Sequence, residues 1–285
     1  MTSGHASRIS YIDVESDTRQ HEHSHKLVAE RRALIASGGR NPQSNYNSLY
    51  HFLKSIGSLR YALGYPLSEV RQSYVESVEA YLKVVELRGT VVYKVIKEPM
   101  TSEPTQEDWD RTPVTIEYGF GNSNESYQAS CLALIANQDD LARQIGEKIW
   151  DPDDATYISS RSTSCTRNQH HLAYAFRELL ADSPESSEAE LKKIHVQKRE
   201  AAIFYQKKLI RALGTANKAL FLDGLSLLVD KHKKRARSTK EVDDYLCIAA
   251  LGLCKLALKH SVCVLDDFPQ DDVHLPLQLI GKSEK

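Results

Sequence analysis

The chain has 285 residues, with 37 Lys+Arg against 38 Asp+Glu, and its formal net charge of −1 gives no global bias toward nucleic acid or a membrane surface. With 41% hydrophobic residues it can bury a core, as one large domain or two small ones. No apolar run approaches the ~18 residues that a spanning helix needs.

Residues 1–17 read as a flexible polar tail; they lack the apolar stretch behind positive residues that marks a secretory signal. Residues 18–285 read as one helical domain, with a possible subdivision near 151–167. Leu27, Arg31, Leu34 and Ile35 outline a first helix that Gly38 and Gly39 end. Tyr46, Leu49, Tyr50, Leu53, Ile56, Leu59 and Leu63 outline a second, closed by Gly64 and Pro66. Val70, Tyr74, Val78, Tyr81 and Val85 mark the inner face of a third, and the short turn between these two makes them antiparallel neighbours.

Thr90–Val95 is β-branched and reads as a short strand or an extended link; whether it pairs with Val114–Tyr118 as a minor hairpin is open. Residues 98–111 read as an acidic loop. Tyr127, Cys131, Leu132 and Ile135, then Leu141, Ile145 and Ile149, form one or two helices. Residues 157–167 read as a Ser/Thr-rich connection. His171, Tyr174, Ala175 and Leu179 are the next helix, ended near Pro184. A further helix starts near Ser187 and runs through Ile194, Ile203 and Leu209 to Gly214; another spans Ala219 to Val229. The last runs from Asp243 to Leu258. Within it only Lys255 is charged between Leu246 and Leu258, and Ala249, Ala250, Gly252 and Ala257 let neighbouring backbones approach, so it reads as surrounded by other helices. The tail ending in His274-Leu275-Pro276-Leu277-Gln278-Leu279 can lay an apolar strip back over the body. The expectation is an all-α fold, a multi-helix array of antiparallel αα-hairpins.

Charge is segregated although the total cancels. Residues 98–160 hold thirteen acids against three bases, and residues 191–240 hold fourteen bases against three acids. Either the two segments neutralise each other, or the acidic one faces a basic partner.

The chemistry-bearing motifs each have a plainer account. His21, His23 and His25 alternate, which faces metal ligands together on a strand but not on a helix, so an exposed polar run is expected. His170, His171 and Glu178 lack the HExxH spacing, and His171 fits an inner helix position. Cys131 and Cys254 sit in apolar helices, where a thiol packs rather than reacts. The five cysteines form no CxxC pair, and buried free thiols in a reducing cytoplasm follow. Gly119-Phe120-Gly121-Asn122 reads as a turn before a helix cap and lacks the Walker lysine. The Lys231–Arg237 run sits at a helix C-terminus, where cations are favoured, and no aromatic residue interleaves it; direct nucleic-acid binding is not expected. No catalytic, metal or cofactor motif emerges, so the chain is read as a non-enzyme.

Three segments resemble the immunity protein 49 family of bacterial polymorphic-toxin systems. They are residues 119–134, Gly-Phe-Gly-Asn-Ser-Asn-Glu-Ser-Tyr-Gln-Ala-Ser-Cys-Leu-Ala-Leu; residues 205–213 and 219–225 with the basic stretch after them; and residues 244–257 followed by 274–279. Helical immunity proteins against DNase effectors share a similar ending. The resemblance covers the last two thirds of the chain. It implies a cytoplasmic all-α protein that binds a cognate secreted toxin, encoded by the adjacent gene, and occludes its active site. A nuclease attracts phosphate with a basic cleft, so a carboxylate-rich inhibitor surface complements it. The carboxylates expected to meet it are Asp151, Asp153, Asp154, Asp266, Asp267, Asp271 and Asp272. The alternative is a helical-repeat scaffold that gathers other proteins.

Overall fold

The computed structural model describes residues 9, 12–38, 42–87, 92–94, 113–115, 123–149, 167–196, 200–270 and 272–281. The described residues form an all-α fold of ten α-helices. Val92–Lys94 and Pro113–Thr115 pair antiparallel, with Val92 opposite Thr115, which answers the hairpin question left open above.

Helix α1 (Val14–Ala36) starts at Asp13, whose side chain accepts from the Ser16 amide at 3.1 Å. It therefore begins inside the segment expected to be a tail, and Ile9 before it is buried, so the flexible reading fails for these residues. Its inward stripe is polar: Asp17, His21, Ser24 and Val28, spaced four, three and four apart. That spacing escaped the apolar pattern, which found only the second half of the helix. The expectation that the His21–His25 run is exposed also fails for His21, whose buried ring lies 5.3 Å from that of Tyr65.

Helices α2 (Pro42–Ala62) and α3 (Leu67–Glu86) form the expected antiparallel hairpin. Gln43 bonds the Val84 carbonyl at one end, Ser77 bonds the Tyr50 carbonyl midway, and Arg60 bonds Ser73 at the other end. Gly57 lies directly under the Tyr74 ring.

Three more hairpins follow: α4 (Ser123–Ile135) with α5 (Asp139–Glu147), α6 (Arg167–Leu180) with α7 (Pro184–Lys192), and α8 (Ala201–Gly214) with α9 (Lys218–Thr239). Their turns share one device. Asn137, Asp182 and Ala216 each take a left-handed φ, and the amide of the next residue returns to the helix to bond a carbonyl five positions back. Gly64 closes α2 in the same manner, its φ being 82°.

The single helix expected from near Ser187 to Gly214 is two. Asn168 holds both backbone groups of His195, accepting from its amide at 3.2 Å and donating to its carbonyl at 2.9 Å. Lys207 takes the Ile194 carbonyl. With these groups committed to side chains, the segment leaves the helical ladder. Between α6 and α7 the buried His171 ring meets Glu190 at 2.9 Å, so His171 is a core residue as expected.

Helix α10 (Ile248–Lys259) packs against α4, α8 and α9 and is buried along nearly its whole length. The expected helix from Asp243 starts later, because Val242–Asp244 forms a 3-10 turn and Cys247 sits at the N-cap position. Cys247 and Cys254 therefore do not share one helix. At Gly252 an added Cβ would lie 2.6 Å from Cys131 Cβ and 2.8 Å from its Cα, so the α4 and α10 backbones touch there. Cys131, Cys247, Cys254 and Cys263 are free and buried. Lys255 bonds Asn137 at 2.6 Å and the Ile280 carbonyl at 2.9 Å.

The chain then folds back over the body. Leu275, Leu277, Leu279 and Ile280 are buried, as the apolar strip foretold. Arg71 donates to the carbonyls of Gln278 and Leu279, and Tyr61 to that of Val273. No helix among the described residues is long and apolar enough to cross a membrane.

Candidate binding cleft

Between the α8–α9 hairpin and the start of α10 lies a cleft of about 510 Å³. Its floor is aliphatic, from Leu132, Ile203, Leu228 and Leu246. Gln128, Gln169 and Gln206 reach it from α4, α6 and α8. Its charged rim is Lys54, Glu200, Lys231, Arg235, Asp243 and Asp244, three cations against three anions. Lys54 pairs with Asp243 and Arg235 with Asp244, both at 3.1 Å. Asp244 also accepts from Thr239 at 2.6 Å.

One wall is fixed by two histidines. His232 bonds the Asp244 carbonyl at 2.8 Å, and His274 bonds the Tyr245 carbonyl at 2.9 Å. Burial, helped by His274, pushes the His232 pKa down to about 4, and burial lowers that of His274 as well. Both rings are thus neutral donors at pH 7, and they lock α9 and the tail to the turn before α10. Burial raises the Cys247 thiol to about 12, which removes it as a nucleophile in this cleft.

The seven expected carboxylates are not gathered into one surface by the described residues. Asp151, Asp153, Asp154 and Asp271 lie outside them. Asp266 is exposed and makes no ion pair among them. Asp267 pairs with Lys218 at 2.5 Å and accepts from the Val264 amide, which holds its carboxyl below the usual range. Asp272 is buried against Lys233 at 2.5 Å and accepts from the His274 amide. Asp267 and Asp272 are therefore internal ties rather than free contact groups. The two lysines stand fifteen residues apart on α9, about 22 Å along the axis, so the tail is strapped to that helix at two levels.

The same pairs bear on the charge segregation. Among the described residues no ion pair joins 98–160 to 191–240; Asp139 goes to Lys259 and Glu125 to His51, while α9 is balanced by the tail. Nor does any group of three or more His, Cys, Asp and Glu among the described residues stand where it could share a metal ion. The glutamines of the cleft were invisible to a search for charged or nucleophilic motifs. Their only signal was an amide at the margin of an otherwise apolar helix face. Comparison with protein-family models, curated proteins and solved structures gives no match.

Proposed function

We propose that the chain is a binding protein of the immunity type, which captures a cognate secreted toxin in the cytoplasm and blocks it. The observation that carries this reading is the cleft over α10. It is mixed polar and aliphatic, built from six helices and the turn before α10, and two of its half-buried amides, Gln128 and Gln206, make no hydrogen bond among the described residues. Such a surface suits recognition of another chain, since its polar groups reward a specific partner and its aliphatic floor supplies burial. The reading places the toxin on the cleft rather than on Asp267 and Asp272. Occlusion of a nuclease by the other five expected acids, Asp151, Asp153, Asp154, Asp266 and Asp271, is the finer form of the proposal.

Co-expression with the product of the adjacent upstream gene tests it. Growth arrest by that product alone, relieved when this chain is present, is the expected result. A harmless neighbour would withdraw the toxin and leave the scaffold reading in its place.

A further inference from the structure

The helix separates neighbouring members of the histidine run on α1 but brings its outer two together. His21 and His25 stand one turn apart on one face, and their Nε2 atoms approach to 3.3 Å with the rings edge to face. Among the described residues neither ring has another hydrogen-bond partner. As a hydrogen bond the separation is long, since an N–H donor usually stands about 2.9–3.0 Å from its acceptor. It matches the edge of a metal site instead. Two nitrogens bound at about 2.0–2.1 Å to one tetrahedral zinc ion lie about 3.3–3.4 Å apart, whereas a right-angled pair lies about 2.9 Å apart.

The surroundings fix one ring and leave the other open. His21 is buried with its ring against Tyr65, while His25 is exposed, so an ion reaches the pair from the His25 side. Arg60, Arg32 and Glu76 are the charged groups that act on the pair. Arg32 is tied to Glu76 at 2.6 Å, and Arg60 donates to Ser73 and to the Glu69 carbonyl. Arg60 thus remains as one repelling charge, which limits affinity. No third His, Cys, Asp or Glu among the described residues completes the set, so water takes the other positions.

We propose that His21 and His25 form a two-histidine zinc site. The ion bridges rings one turn apart and staples the first half of α1, whose inward stripe is polar. Two ligands supply about half the free energy of a four-ligand structural site, which puts the dissociation constant on the order of 10 µM. The site is independent of the cleft and of any partner protein.

Calorimetric titration of zinc chloride into the untagged full chain at pH 7 tests it. One ion per chain with that affinity is expected, together with a zinc-dependent rise in melting temperature. His25→Ala, at an exposed position where folding is spared, should weaken binding at least ~10-fold and abolish the rise. His23→Ala, on another face of the same turn, should keep both. The proposal is overturned if zinc does not bind. It is equally overturned if His25→Ala binds as wild type does, or if His23→Ala loses the ion, since either result marks an adventitious ion only.

Discussion

The phenol of Tyr245 donates to Oδ2 of Asp17 at 2.7 Å, a buried bond that ties α1 to the turn feeding α10 across 228 positions of sequence. Burial raises the pKa of Asp17, while the Tyr245 bond opposes that rise. Tyr245→Phe removes the donor and leaves a buried carboxylate short of a partner, so a loss of about 1.5–3 kcal/mol is expected by chemical denaturation. Asp17→Asn keeps an acceptor for the phenol without the desolvated charge, and its midpoint should stay within about 0.5 kcal/mol of wild type at pH 7. A large loss in Asp17→Asn would show that the charge itself holds the helix.

Among the described glycines, Gly252 is the one where an added Cβ would come within 3 Å of another backbone. The Cβ of Gly252→Ala would meet backbone and side-chain atoms of Cys131 within 2.8 Å. Relief requires α4 and α10 to separate, so about 1–3 kcal/mol of destabilisation is expected. Thermal unfolding checks it, and an unchanged midpoint would mean the two helices are not in contact.

Ala216 is the odd member of the hairpin turns, an alanine at φ 49° where Asn and Asp serve elsewhere. Left-handed backbone costs an alanine about 1–2 kcal/mol, part of which glycine returns as unfolded-state entropy. Ala216→Gly should therefore gain about 0.5–1 kcal/mol, read as a higher denaturation midpoint.

Acid should weaken the fold well before carboxylates protonate. Burial holds His21 and His232 down to about 4, against an unfolded value of 6.5, and it lowers His25, His51 and His274 too. Between pH 6.5 and 4 the unfolded chain binds more protons than the folded one. The stability these rings allow is therefore complete above 6.5 and drains away as pH falls toward 4. Asp17 works in the other direction, since its raised pKa favours the folded form in acid, but it stands alone against five histidines. Melting at pH 5 should come below melting at pH 7, and His21→Gln or His232→Gln should flatten the difference. A pH-independent midpoint across this window would show that the rings stay accessible.

The all-α class was legible because apolar residues recur at helical spacing in α2, α3 and α10, where the buried faces are long. The apolar tail was legible for the same reason, through Leu275, Leu277 and Leu279. What stayed hidden was structure held by polar groups. The first half of α1 buries Asp17, His21 and Ser24, which a hydrophobic pattern discards. The break between α7 and α8 depends on one side chain, Asn168, seizing a backbone 27 residues away. Of the expected contact acids, Asp267 and Asp272 look free in sequence because their lysines lie on a distant helix. The cleft itself is assembled from α2, α4, α6, α8, α9 and the start of α10, so no local window contains it.

Hydrogen exchange on the chain with and without the product of the adjacent gene tests the central claim most directly. Slowed exchange on the cleft walls, residues 200–206, 228–235 and 244–249, is the result predicted here. Protection at 151–154 and 265–267 with unchanged exchange in the cleft would contradict it and return the contact to the acidic surface.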